Sequence, residues 1–313
     1  MKSLTYMMSV LSMGLVLTAC QSKAEEKPAW AKDINVPSSE TIQFYKNEMG
    51  EDYPHQIGKY GYIMPPMSKT MFIQNIKNNM ILVKGGDFTL KTGKKLHVQN
   101  FYISKMLTSY WQYFSYLNQL KLYKPNSNNT SSGLPTDDAL DKFDNGLYPA
   151  RISYHQAQKY CAWLAKETKL PFALPTFKQW LYAATSRGSN WAYPTNNGKI
   201  ELGKNYPIKA ENHVYHIVTN NPVNTLDIHQ LFANGLEWTQ STVASIANTG
   251  VYVDYDGKPD QAHIGLGTTP SWGLKNIKAM TLERYIDSYV TGSDYPTNTL
   301  HFRCVINTDQ PIE

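Results

Sequence analysis

Cysteine is scarce in this chain: of 313 residues only Cys20, Cys161 and Cys304 carry sulfur that could act as a thiol. Each has a structural assignment, which leaves none for thiol chemistry. Cys20 closes Leu17-Thr18-Ala19-Cys20, a lipobox that follows an apolar run, while Cys161 and Cys304 lie about 140 residues apart, where export would permit oxidation to a bridge. Long hydrophobic runs are also missing. A membrane-spanning helix needs roughly 20 apolar residues, and the apolar stretch between Lys2 and Cys20 is too short and stops at the cysteine. The chain lacks a basic stripe as well: its formal charge of +5 is spread along the sequence and falls to +4 once Lys2 is removed, which argues against nucleic acid as a partner. No internal repeat is visible.

What is present at the N-terminus reads as an export signal. Residues 1–19 combine Lys2, a Met-, Val- and Leu-rich stretch and small residues before Cys20. The expectation is a lipoprotein whose acylated Cys20 becomes the mature first residue, and Gln21 in place of Asp resembles the sorting signal for the outer membrane. That places the chain at the periplasmic face of that membrane, held there through its lipid anchor. Residues 20–40 are polar, carry Pro28 and Pro37, and read as a lipidated tether. Residues 41–79 are mixed and aromatic, broken by Pro65-Pro66, and are expected to form an N-terminal extension packed on the main domain. Residues 80–308 form that domain, long enough to bury one sizeable core.

The pattern changes at Met80. Met80-Ile81-Leu82-Val83 predicts a strand, Gly85-Gly86 a turn, and Phe88 with Leu90 a resumed alternation; Leu96, Val98 and Phe101-Tyr102-Ile103 predict further strand. Trp111, Phe114, Leu117 and Leu120 recur at helical spacing after Thr108 or Ser109 as N-cap. Residues 125–145 are loop in composition. A second helix follows Ser153 with Ala157, Tyr160, Cys161 and Leu164 on one stripe, and Thr176 opens a third through Trp180. From Arg187 onward periodicity fades into long loops, with a hairpin expected near Val251 to Gly257 and a terminal strand over His301 to Val305.

Several of these landmarks stand in the order shown by the formylglycine-generating enzyme, or sulfatase-modifying factor, family, which this chain resembles. The matching segments are Met80 to Phe88, Phe101-Tyr102-Ile103-Ser104-Lys105, Pro149 to Leu164 with its Tyr160-Cys161, Leu174-Pro175-Thr176 through Trp180 to Ala184, Asn234-Gly235-Leu236-Glu237-Trp238-Thr239, and Phe302-Arg303-Cys304. The resemblance implies an α+β, C-type-lectin-like domain with little regular secondary structure and long loops. It also implies that Cys161 and Cys304 are bridged, a closure that contributes about 4 kcal/mol in the chain-entropy model. The family's oxidases use a further pair, spaced Cys-x-x-x-x-Cys before the closing motif, to bind copper and activate oxygen. No cysteine occurs between Leu274 and His301. Copper(I) selects soft thiolates, so no copper and no formylglycine-generating activity are expected, and Met280 reads as core.

The resemblance points to Asn234 and Glu237 as positions where relatives hold calcium, although the family's upstream Asp is Gln230 here. Two versions stay open: a structural calcium and a hydrogen-bonded, metal-free corner. Asp254, Asp256 and Asp260 read as a solvated turn, since a calcium loop's downstream acid is missing. His213 and His216 have no obvious third zinc ligand, and the trio His155, Asp138 and Ser153 has no nucleophile elbow. Trp163, Trp180 and Trp238 fall on packing positions, whereas Trp191, Tyr193, Tyr252 and Tyr255 in the loops are the candidate protein contacts. The expectation is a non-catalytic module that binds a periplasmic protein, such as an immunity protein against a secreted toxic enzyme or an envelope scaffold. The alternative is a metal-dependent oxidoreductase of altered chemistry.

Overall fold

A computed structural model describes residues 68–120, 149–189, 191–206, 223–231, 234–251, 262–268 and 300–312. Helix α1 (Lys69–Asn78) opens them: the Ser68 hydroxyl accepts from the Met71 N–H, and Phe72 and Ile76, one turn apart, are buried. The chain then runs through β1 (Met80–Val83), β2 (Gly86–Thr89), β3 (Lys95–Val98) and β4 (Phe101–Ser104). Helices α2 (Tyr110–Gln119), α3 (Tyr154–Thr168) and α4 (Phe177–Ala184) follow, with the two-residue β5 (Phe172–Ala173) between the last two. The remainder is β6 (Gly235–Thr242), a short helix α5 (Val243–Ile246), β7 (His263–Thr268), β8 (Leu300–His301) and β9 (Val305–Ile306).

The caps expected from sequence are made. Ser153 and Gln156 form a reciprocal capping box on α3, and Thr176 and Gln179 form one on α4. At α2 it is Ser109 that accepts from the Gln112 N–H, while the Gln112 side chain accepts from the Ser109 N–H. The stripe Ala157, Tyr160, Cys161 and Leu164 is buried.

Three sheets result. The largest has the order β1-β4-β9-β5 with all neighbours antiparallel; β2 and β3 make a hairpin; and β6 lies between antiparallel β7 and parallel β8. The single terminal strand expected over 301–305 is in fact two. Leu300–His301 pairs with β6, Val305–Ile306 pairs with β4 and β5, and Phe302-Arg303-Cys304 crosses from one sheet to the other. The eight-residue β6 was invisible to alternation because its first five residues are all buried, so no polar face marks the period.

Two buried clusters fill the space between these layers. One gathers Phe88, Phe101, Trp180, Leu181, Ile264 and Leu266. The other gathers Phe72, Tyr113, Tyr160, Trp238, Leu300 and Phe302, with Tyr113, Tyr116, Tyr160 and Phe302 in edge or tilted ring contacts 5.2–6.5 Å apart. Phe72 of α1 lies in a tilted ring contact with Trp163, centroids 5.8 Å apart, so α1 packs into this core. Among the described residues no helix is long and apolar enough to cross a membrane.

Cys161 on α3 and Cys304 on the crossing segment are disulfide-bonded, with Cα atoms 6.0 Å apart across 143 residues of sequence. Replacing both by alanine is expected to lower unfolding free energy by about 2–4 kcal/mol, read as the shift in a urea transition. An unchanged midpoint would mean that the bridge constrains nothing the fold does not already hold.

Candidate functional site

The crossing segment also carries Arg303, which is fully buried. Its guanidinium is bidentate to Glu237, equally buried on β6: Nε donates to one carboxylate oxygen at 2.7 Å and an Nη to the other at 2.9 Å. The remaining donors reach the carbonyls of Ser104 at 3.0 Å, Lys105 at 3.2 Å and His229 at 2.8 Å. All five N–H groups of the fork are therefore directed at acceptors. Burial pushes the Glu237 carboxyl above its usual range, and the Arg303 charge, its hydrogen bonds and the neighbouring Trp180 indole pull the other way.

This arrangement gives Glu237 a partner that sequence alone did not name. Both carboxylate oxygens face a cation already, and the neighbouring Asn234 side chain donates to the Gln230 side-chain oxygen at 2.9 Å. The candidate calcium positions Asn234 and Glu237 thus both have protein hydrogen-bond partners in this structure. Among the described residues no group of three or more His, Cys, Asp or Glu comes together. The signal that could have marked Arg303 is its setting, a lone cation between Phe302 and Cys304 and just before Val305-Ile306. A charge in such an apolar run requires a buried partner.

Around the pair the structure orders the remaining candidates. The Ser153 hydroxyl serves the α3 cap, and Asp138 of the discounted trio lies outside the described residues. His155 sits beside Tyr154, whose ring stacks on His263 at 3.4 Å. His301 is buried, with Nδ1 3.3 Å from the Ala150 carbonyl. Trp238 donates to the Ile152 carbonyl at 2.9 Å and packs as expected, and Trp180 is fully buried. Cys20, Tyr252, Tyr255, His213, His216, Asp254, Asp256, Asp260 and Met280 lie outside the described residues.

Of the loop aromatics, Tyr193 is half-buried against the first cluster. Trp191 lines a cleft of about 470 Å³ together with Phe88, Lys91, Leu181, Thr185 and Ser189. Gly198 backs the indole: a Cβ there would come within 2.6 Å of the ring, so only glycine lets the backbone press against Trp191 and hold it in place.

Two outcomes follow. Arg303→Met is expected to cost about 3–5 kcal/mol in urea unfolding because it strands the Glu237 charge, whereas the double change Arg303→Met, Glu237→Leu is expected to cost less. A double variant worse than the single one would refute this account of the pair. Burial, reinforced by Arg151, lowers the His301 pKa to about 3, and burial with His155 nearby lowers that of His263 to about 4. Folded values below the unfolded value mean that the unfolded chain takes up protons first as pH falls. Their contribution to stability is thus complete above the ordinary histidine range and is lost as pH drops from roughly 6.5 through 4 toward 3. Unfolding midpoints measured between pH 7.5 and 4.5 should fall, and a flat profile in the wild type together with a ring that titrates near pH 6.5 by NMR would refute it.

Comparison with known proteins accounts for this architecture. Residues 69–307 match the model of the sulfatase-modifying factor enzyme 1-like domain. Among solved structures, CarF aligns at a TM-score of 0.50 with 17% identity over 74% of this chain and 98% of its own. PvdO from Pseudomonas aeruginosa aligns at 0.53 with 16% identity over 72% of this chain and 93% of its own. At such identities these likenesses speak to the fold. No curated protein matches. The family match spans both sheets that Arg303 ties together and both bridged cysteines. The chain belongs to the formylglycine-generating enzyme, or sulfatase-modifying factor, family.

Proposed function

We propose that this family member is a lipid-anchored, non-catalytic protein-binding module at the periplasmic face of the outer membrane. The observation that carries the reading is the assignment of all three of its cysteines. Cys161 and Cys304 are bonded to each other, Cys20 completes a lipobox, and no cysteine remains in the chain to form a copper-binding pair. The donor set therefore does not fit copper(I), which selects thiolates.

What remains is a rigid body that displays loops, and a scaffold of this kind suits recognition. Trp191, pinned by Gly198 at a cleft, is the described residue best suited to act as an aromatic anchor for a partner, with Tyr193 packed beneath the same surface and Tyr252 and Tyr255 proposed to extend it. Two biological versions are compatible with such a module: immunity against a secreted toxic enzyme, and scaffolding within an envelope assembly.

The test combines compartment and chemistry. Wild-type chain is expected in the outer-membrane fraction, and Cys20→Ser in the soluble periplasm. Cross-linking in the envelope should join it to one protein in a Trp191-dependent manner, with Trp191→Ala folded by circular dichroism but cross-linked several-fold less. Incubation of purified protein with copper, oxygen and a cysteine-containing sulfatase peptide should give no aldehyde. Aldehyde formation, or stoichiometric copper or iron with oxygen consumption, would replace the binding module by an enzyme.

A further inference from the structure

The cleft beside Trp191 is also the edge of a sheet. The β2–β3 sheet has two strands, so among the described residues β2 has one edge that no strand covers. The register pairs Gly86 with Val98 and Phe88 with Leu96, and the Leu90 N–H donates to the Lys94 carbonyl at 2.9 Å. In an antiparallel ladder, alternate residues exchange bonds with the neighbouring strand. With Gly86, Phe88 and Leu90 bonded toward β3, the N–H and C=O groups of Asp87 and Thr89 are directed to the opposite side.

That side is the cleft. Residues 87–91 all line it, together with Leu181, Thr185 and the turn at Gly188, Ser189 and Trp191. Side chains of a strand alternate between faces, so a run of consecutive lining residues is the pattern of a cleft that follows the backbone edge. The far wall is fixed, because the Thr185 hydroxyl donates to the Leu181 carbonyl and accepts from the Gly188 N–H.

The charge around this edge is predominantly positive. Lys91, Lys94 and Lys95 are exposed within five residues, and Lys84 and Arg187 flank the strand, Arg187 donating to the Lys84 carbonyl at 3.1 Å. Asp87 is the one acid between residues 84 and 98, and it is matched by His97 at 2.6 Å. The lysines are held on a set turn. Lys91-Thr92-Gly93 is a three-residue hairpin loop with Gly93 at φ 85°, a left-handed position that glycine adopts without strain. The Thr92 hydroxyl donates to the Thr249 carbonyl at 2.8 Å and docks the tip on the body.

We propose that β2 takes up an extended, acidic segment of a partner protein as a third strand, with an apolar side chain of that segment seated on Trp191. The inference rests on the protein-binding reading and names the chemistry of its partner. The edge amides and carbonyls of Asp87 and Thr89 supply main-chain bonds, the lysine turn selects carboxylates, and the pinned indole supplies the anchor. An uncovered edge is otherwise a liability, and lysines are also a device against pairing with copies of the same chain.

The test uses the full mature chain and a short capped peptide alternating glutamate with valine, set against its lysine–valine counterpart. The glutamate peptide is expected to slow hydrogen exchange at the Asp87 and Thr89 amides and to change Trp191 fluorescence, and the lysine peptide to do neither. Charge reversal at Lys91, Lys94 and Lys95 to Glu is expected to weaken binding about tenfold or more, with most of the loss in association rate and in salt dependence. Thr89→Pro removes the outward N–H, leaves the β2–β3 bonds in place, and is expected to abolish the slowed exchange. The proposal falls if neither peptide protects these amides, if both bind alike, or if Thr89→Pro binds unchanged. It also falls if the amides are already protected in the free chain, which would mean that a segment of the chain itself lies there. A cross-linked partner retained by Thr89→Pro would remove this edge while leaving the binding module intact, whereas aldehyde production would remove the module itself.

Discussion

A guanidinium buried among three stretches of chain that are far apart in sequence is the constraint on which this fold turns. Arg303 leaves one sheet and enters another while its five donors reach β6 through Glu237, the end of β4 through the Ser104 and Lys105 carbonyls, and the His229 turn. Two opposite charges without solvent are tolerable only when the geometry is bidentate and the remaining donors are satisfied. Here they are, so the pair acts as a specification of geometry: displacing any of the three stretches leaves a buried polar group without its partner.

The disulfide works one residue away on the same crossing segment. Cys304 fixes the segment to α3 while Arg303 fixes it to β4 and β6, and Phe302 between Tyr113 and Tyr160 completes the contact with the aromatic cluster. Three consecutive residues thus make a covalent, an ionic and an apolar tie to different parts of the body.

Elements at the surface are also tied to this body. The β2–β3 hairpin is tied at its tip by Thr92 and backed along its length by α4, and the turn bearing Trp191 is pressed by Gly198. Rigid loops lose little freedom on binding, which favours recognition by a limited number of contacts.

Much of the candidate core was legible in the linear chain because its signals are local. Capping residues at Ser153 and Thr176, the stripe from Ala157 to Leu164 and the Met80–Val83 strand depend on neighbours three or four residues away, and ordered motifs including Tyr160-Cys161 and Phe302-Arg303-Cys304 carried the family and the bridge. The sequence by itself also determined that no Cys-x-x-x-x-Cys pair is present, since that is read directly from cysteine spacing. It could not reveal β6, whose first five residues are all buried and show no alternation, nor the split of the terminal strand between two sheets. Only the tertiary structure decided that Glu237 faces Arg303, 66 residues away, with both of its oxygens engaged, and that the free edge of β2 meets the Trp191 turn in one cleft. Both facts depend on which distant segments are brought together, and propensity and spacing act only over a few residues along the chain.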